Sequence, residues 1–303
     1  MEYCVSSDLT PAEQKKLVLE SDKAFESEAS RKVSALSDIP DLKIIGLTGP
    51  SCSGKTTAAN KLIEHLQKSG RQVVVVSLDN FFKDVETVRR QGAAGQLEEL
   101  DFDSEDAMDL DLLECTVESL LLSRPTVLPI FDFKTGKLNR NGSLLTPTVE
   151  DVFLFEGIQV LYPGVDKILS RVAYKSIYIS PESPIVTGGE HFDPNEIRLM
   201  RRIVRDYRHR DSSAEFTLFL WKGVRENEER AIFPFRDRCS EAIDSTLAYE
   251  VGMLKPYLLP LLENYNPDAL FFKEAKALLQ KLKNVQPIPA DYLTQNSLYK
   301  EFI

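Results

Sequence analysis

Gly49-Pro50-Ser51-Cys52-Ser53-Gly54-Lys55-Thr56 decides how this chain is read. It has the spacing G-x-x-x-x-G-K-[ST], in which glycines let backbone N–H groups turn toward phosphate oxygens while the lysine reaches the terminal phosphates. The flanks suit such a loop. Lys43–Thr48 reads as a strand, and in the helix that runs to about Ser69 the residues Ala59, Leu62, Ile63 and Leu66 recur at i, i+3, i+4 and i+7, the stripe of a face packed on a sheet. Gly70 stands where a left-handed residue closes the helix. The positive end of that helix points at whatever anion the loop receives.

Working outward, Gln72–Ser77 returns as a second strand, completing a βαβ start. Val73-Val74-Val75-Val76 and Val152-Phe153-Leu154-Phe155 are apolar at every position, the pattern of parallel strands covered by helices on both faces. Ser104, followed by Glu105 and Asp106, predicts a helix running to about Leu122. Turn residues at Thr135-Gly136-Lys137 and Arg140-Asn141-Gly142-Ser143 predict a β-hairpin over residues 126–149. A further strand is expected at Ser176–Ser180. Asp193-Pro194-Asn195-Glu196 then caps a long helix through Arg210, and a second helix follows near Ser213–Glu229.

At the ends, Thr10-Pro11-Ala12-Glu13 has the form of a capping box, so residues 1–40 are expected to form a helical extension. The proline-spaced stretch Gln286-Pro287-Ile288-Pro289 predicts an irregular tail, residues 285–303, laid over the surface. Residues 41–284 are then the main domain, with the hairpin at 126–149 and a lid region at 205–230.

Composition narrows the setting. A chain of 303 residues, 43% apolar, can bury a large core. Its longest apolar runs fall far short of the roughly 20 residues of a membrane-crossing helix. Glu2, Asp8, Glu13 and Glu20 do not suit a secretory or transit segment, so a cytoplasmic address is expected. Cys4, Cys52, Cys115 and Cys239 show no C-x-x-C spacing and read as reduced thiols. A net charge of −10 disfavours a nucleic-acid partner. Neither a nucleic acid nor a membrane is expected to bind; a homo-oligomer is compatible with these features.

Within the loop, Lys55 would meet the terminal phosphates and Thr56 could ligate Mg²⁺. Glu156 follows a buried strand, where α/β sheets place ligands, and could hold Mg²⁺ or its water; an ordinary acidic strand end is the competing explanation. Asp79 also follows a buried strand and could accept the proton of an attacking hydroxyl, although an Asx turn leaving the strand favours aspartate too. Arg198–Arg210 holds six arginines, readable either as a solvated helix face or as a polyanion clamp. Cys52, at a helix N-terminus, is either an oxidisable thiol or a tolerated loop residue. His65, His191 and His209 are isolated and make poor ligands or bases.

Taken in order, Gly49–Thr57, Ser77-Leu78-Asp79-Asn80-Phe81-Phe82, Asp101-Phe102-Asp103, Phe133-Lys134-Thr135-Gly136 and Phe155-Glu156-Gly157-Ile158 resemble the uridine kinase and phosphoribulokinase family. Arg201–Arg208, Ile232-Phe233-Pro234-Phe235, Tyr249-Glu250 and Leu254-Lys255-Pro256-Tyr257 are similar to its nucleoside-kinase branch, which in many bacteria carries an N-terminal TGS-like region. The likeness spans about residues 43–303. It implies an α/β, P-loop NTPase fold: a mostly parallel five-stranded sheet covered by helices on both faces, with a β-hairpin excursion and a helical lid.

The same resemblance implies transfer of the ATP γ-phosphate, with Mg²⁺, to the 5′-hydroxyl of a nucleoside, uridine or cytidine. Asp79, Lys55 and Arg205 would be catalytic. Gly49, Pro50, Ser51, Cys52, Ser53, Gly54, Lys55, Thr56, Thr57, Arg205 and Arg210 would bind ATP. Asp79, Phe82, Asp103, Phe131 and Arg202 would bind the acceptor, and Thr56, Glu156 and Asp79 would serve the metal. Phe82 and Phe131 stand where tyrosines are usual, Gly136 where a base-reading histidine is expected, and Asp211 where a glycine follows the lid arginine. Two alternatives follow: a kinase of another small hydroxylated metabolite, such as a phosphorylated sugar or a pantothenate-like acceptor, or an ATP-binding regulator without transfer. No N-K-x-D or L-S-G-G-Q motif points to a GTPase or a transporter ATPase.

Overall fold

A computed structural model describes residues 2–37, 39, 41–68, 70–91 and 104–303. Its centre is a five-stranded sheet of β2 (Ile44–Thr48), β3 (Val73–Ser77), β6 (Val152–Glu156), β7 (Tyr174–Ser180) and β10 (Glu241–Asp244). The order is β10-β7-β2-β6-β3, and every neighbouring pair is parallel. Alternate residues serve opposite faces, as a period of two requires. On β2, Ile45 and Leu47 enter one hydrophobic cluster and Ile44 the other; on β6, Leu154 and Phe153 divide in the same way.

The larger cluster is built on α1 (Pro11–Ser37), α2 (Lys55–Lys68), α6 (Pro194–His209) and α8 (Glu250–Glu263), with α9 (Phe272–Lys283) behind α8. The other face is covered by α4 (Leu110–Leu121) and α5 (Pro163–Leu169). The central strand β6 is buried from Val152 to Phe155. β3 departs from expectation: as an edge strand it leaves Val75 41% exposed. An apolar run alone does not separate a central parallel strand from an edge one, because the pattern records composition and not the presence of a neighbour.

Ser104 opens only a short 3₁₀ turn, its hydroxyl accepting from Asp106 N–H. Met108 is extended and bridges to Phe82, and Asp109 caps α4 by accepting from Leu112 N–H at 3.0 Å. A second N-cap inside the expected helix therefore displaces its start. The helix α3 (Val85–Gln91) follows β3, and the hairpin is an antiparallel pair, β4 (Thr126–Asp132) with β5 (Lys137–Leu145). The remaining helix is α7 (Ala214–Ala231), capped by the Ser213 hydroxyl. The box at Asp193 forms as read, with Pro194 in the first helical position.

A three-stranded sheet joins β1 (Tyr3–Val5), β8 (Ile185–Thr187) and β9 (Glu190–Phe192). Val18, Phe25, Ala29, Val33 and Leu36 of α1 lie in the main core. Asp22 on α1 accepts from the hydroxyls of Tyr249 at 2.6 Å and Thr294 at 2.7 Å. The proline-spaced tail is not laid on the surface: Val285, Ile288, Leu298, Tyr299 and Phe302 are each at most 3% exposed. Closely spaced prolines remove backbone N–H donors and disfavour regular structure locally, but they do not prevent the apolar residues between them from being buried.

Candidate functional site

The loop between β2 and α2 gathers the chemistry. Cys52 and Gly54 both take positive φ, +59° and +94°, and these two reversals curl the backbone around the start of α2. At Gly54 a side chain is also excluded by space, since a Cβ would come within 2.5 Å of Leu298 Cδ1. Lys55 Nζ donates to the carbonyls of Gly49 at 2.9 Å and Pro50 at 3.1 Å. Burial pushes the Lys55 pKa down, and the carboxylates of Asp79, Glu156 and Glu301 oppose that shift.

Phosphate fits this loop on two observations. Ser53 Oγ is buried and has no hydrogen-bond partner among the described residues, leaving a hydroxyl to offer an anion. The first turn of α2 presents backbone N–H groups that no intrahelical carbonyl can take.

Three arginines of α6 hold the loop, two of them from behind. Arg198 donates to Ser51 O at 3.3 Å, Arg201 to Cys52 O at 3.2 Å and Arg202 to Ser51 Oγ at 2.9 Å. Arg198 and Arg201 are 1% and 0% exposed, held by Glu228 of α7 and Glu250 of α8 through bonds of 2.6–2.9 Å. Neither a solvated face nor a polyanion clamp describes these two, because a carboxylate already neutralises each in the interior. Arg202, which keeps its bond to Ser51 Oγ, lines the cleft in front of the loop together with Arg205 and Arg210.

That cleft encloses about 890 Å³. It brings together, from the candidates named above, Ser51–Thr56, Asp79, Phe82, Glu156, Arg202, Arg205 and Arg210. Asp79 lies in the 3₁₀ turn that Leu78 opens after β3, and its Oδ1 accepts from Gln159 Nε2 at 2.7 Å. The bond fixes the carboxylate while leaving Oδ2 for another partner. Glu156 ends β6; burial raises its pKa, with Lys55 pulling the other way. No three His, Cys, Asp or Glu side chains among the described residues converge into a metal cage. Thr56 and Glu156 are nonetheless on the cleft wall together, the sparse donor set that suffices for a Mg²⁺ arriving with substrate phosphates.

Other candidates lie elsewhere. Gly49 and Pro50 offer Lys55 their carbonyls instead of facing the cleft, and Thr57 Oγ1 donates to Glu301 Oε2 at 3.3 Å. Phe131, 6% exposed, stands behind the wall, its ring 5.6 Å from Phe82 and 5.0 Å from Phe133; Phe82 and Phe133 form the wall itself. Gly136, at φ +64°, packs so closely on Val85 that a Cβ would meet its Cγ2 at 2.3 Å. Asp103 lies outside the described residues. Asp211 holds φ +53°, the left-handed conformation a glycine would take there.

The sequence reading missed Gln159, Phe133, His209, Asn227 and Glu301, all on the cleft wall. Gln159 adjoins a quoted motif, Phe133 opens one without a role assigned to it, and His209 has no partner close in sequence. Glu301 carries no motif at all.

A sequence profile described as the Phosphoribulokinase / Uridine kinase family matches residues 44–246, from the first strand of the sheet to the last. The chain belongs to that family. Two relatives illustrate the likeness. Uridine-cytidine kinase-like 1 of Mus musculus is 33% identical over 171 residues, 56% of this chain and 27% of the mouse protein. Uridine kinase of Borreliella burgdorferi (strain ZS7) is 30% identical over 173 residues, 57% of this chain and 71% of that protein. The matched part covers between 27% and 62% of the length of the mouse protein and three other relatives, so family membership speaks for the shared segment. The structure named "Structure of a Possible Uridine Kinase from Bacillus stearothermophilus" aligns over 73% of this chain and 98% of its own with a TM-score of 0.47 and 18% identity. Residues 247–303, including Glu250 and Glu301, fall outside the family match. No helix among the described residues is long and apolar enough to cross a membrane.

Proposed function

We propose that this protein is an ATP- and Mg²⁺-dependent kinase that phosphorylates the 5′-hydroxyl of a pyrimidine nucleoside, uridine or cytidine, in the cytoplasm. The observation that carries the proposal is the placement of Asp79. Its carboxylate is held on one oxygen by Gln159 at 2.7 Å and shares the cleft with the phosphate loop. A carboxylate so fixed, within reach of an incoming hydroxyl, serves as general base.

The rest of the wall has complementary roles. Lys55, Arg202, Arg205 and Arg210 supply positive charge where negative charge develops on the transferred group. Thr56 and Glu156 would hold Mg²⁺, which neutralises phosphate charge when bound. Phe82 and Phe133 give the acceptor an apolar wall. The named relatives, uridine and uridine-cytidine kinases, support the nucleoside as acceptor.

A second reading, a kinase of another small hydroxylated metabolite such as a phosphorylated sugar, is favoured by Gly136. The position expected to read the base has no side chain and no space for one. Steady-state assays with Mg·ATP against a panel of nucleosides, sugar phosphates and pantothenate-like acceptors separate the two. UMP and CMP formation is the expected result; turnover only with a non-nucleoside would establish the second reading, and no turnover with any acceptor despite ATP binding would sink both.

A further inference from the structure

Glu301 is held in the cleft by a segment whose neighbouring apolar side chains are buried in the core. Leu298, Tyr299 and Phe302 are 1%, 0% and 0% exposed. Leu298 covers Gly54, Tyr299 OH donates to Glu250 O at 3.2 Å, and the Phe302 ring lies 5.1 Å from the Arg201 guanidinium. The backbone that carries Glu301 is thus fixed to the loop and to the ion pair behind it.

The other cleft carboxylates have partners within the protein. Asp79 accepts from Gln159, Glu156 from Ser77, and Glu228 from Arg198 and Arg225. Glu301 has one long bond, 3.3 Å from Thr57 Oγ1, and among the described residues no cation within 4.0 Å. The nearby cations are engaged: Lys55 with two loop carbonyls, Arg205 with Asp206. An under-used carboxylate in a site that accepts a polyanion weakens binding unless it meets a hydrogen-bond donor. Phosphate oxygens are acceptors at neutral pH and cannot be that donor. The nucleoside part of the ligand has sugar O–H groups and base N–H groups.

We propose that Glu301 is a specificity residue of the donor site, oriented by Thr57 to accept a hydrogen bond from an O–H or N–H of the donor's nucleoside moiety. The proposal rests on the reading of the cleft as an ATP site and adds a discriminating residue from outside the family-matched segment.

Isothermal titration of the full chain with Mg·ATP, Mg·2′-deoxy-ATP, Mg·3′-deoxy-ATP, Mg·ITP and Mg·tripolyphosphate tests it, on the unsubstituted protein and on Glu301→Ala and Glu301→Gln. The analogue that lacks the donor should bind roughly 10-fold more weakly than ATP to the unsubstituted protein. That ratio should fall to about 1 in Glu301→Ala and recover in part in Glu301→Gln, which keeps an acceptor oxygen, while tripolyphosphate, which has no nucleoside donor to lose, binds no more weakly to either variant. Loss with the deoxy analogues assigns the sugar, and loss with ITP the base amine. The proposal is overturned if no analogue is discriminated, if every ratio survives Glu301→Ala, or if tripolyphosphate affinity shifts as much as ATP affinity, which would make Glu301 a charge or metal effect. Absence of ATP binding by the unsubstituted protein would instead remove the proposed kinase function itself.

Discussion

Arg201 and Glu250 are joined by two parallel hydrogen bonds, Nε to Oε2 at 2.6 Å and Nη2 to Oε1 at 2.9 Å, with both side chains fully buried. The remaining guanidinium nitrogen of Arg201 donates to Cys52 O, in the loop residue that holds φ +59°. The pair therefore supports a backbone shape that an L-residue resists. Helix α6 uses Arg198 in the same way on Ser51, through Glu228 of α7.

Removing one partner of such a pair should be far worse than removing both. Arg201→Met strands a buried carboxylate and is expected to destabilise the fold by ~3–5 kcal/mol in denaturant unfolding. Arg201→Met combined with Glu250→Gln keeps an acceptor for Leu247 N–H, which now bonds Glu250 at 2.8 Å, and should regain most of that loss. ATP affinity should stay at least roughly 10-fold below normal in the double variant, since Cys52 O has still lost its donor. A double variant that binds ATP normally would show that the arginine does not shape the loop.

Asp79→Asn should lower kcat by roughly 10²–10⁴ while leaving the Kd for Mg·ATP within a few-fold, because it deletes a proton acceptor and spares the loop. Lys55→Ala should remove ATP binding itself. If Asp79→Asn turned over normally, the general base would have to be sought elsewhere on the wall.

Glu156 gives a pH signature with a definite sign. Its carboxyl pKa is raised by burial above the ordinary 4.5, so the fold favours the neutral form. Stability from this group is complete below pH 4.5 and is lost as the pH climbs through the raised folded value. Glu156→Gln should thus raise Tm at neutral pH, with a benefit that shrinks toward pH 4, while Mg²⁺-dependent turnover falls. An unchanged Tm at pH 7 would mean that the desolvation is relieved by a partner in solution.

Grafting the missing histidine should fail. Gly136→His forces a side chain into Val85 and into a positive φ, and is expected to cost ~1–3 kcal/mol without lowering the KM for uridine. Truncating the neighbour with Gly136→His/Val85→Ala should recover stability. A lower uridine KM in either variant would reopen position 136 as the base reader.

Phe133 is 65% exposed and packs edge-on against Phe82 and Phe131 at 6.2 and 5.0 Å. Phe133→Ala should raise the acceptor KM several-fold, with little change in the KM for ATP or in Tm, because the ring contributes surface to the cleft and little to the core. Equal effects on both substrates would place it in general cleft shape.

By itself the sequence determined what local chemistry can encode. The glycine spacing of 49–56, the stripe of α2, the box at Asp193 and the uninterrupted apolar run of β6 are each written within a few residues, and backbone sterics and helix capping act at that range. Gly49–Thr56, Asp79 and Glu156 could be named because each lies at or just after the carboxyl end of a strand. Tertiary structure alone decided which charges are buried and what reaches the cleft from afar. Arg198 and Arg201 differ from Arg202 and Arg205 only in whether Glu228 and Glu250, at least 30 residues away in the chain, stand opposite them. Glu301 enters the site because the apolar residues around it are buried against α2 and α8. Hydrophobic burial is non-directional and depends on area, not on order along the chain, so no local pattern could place that carboxylate beside Thr57.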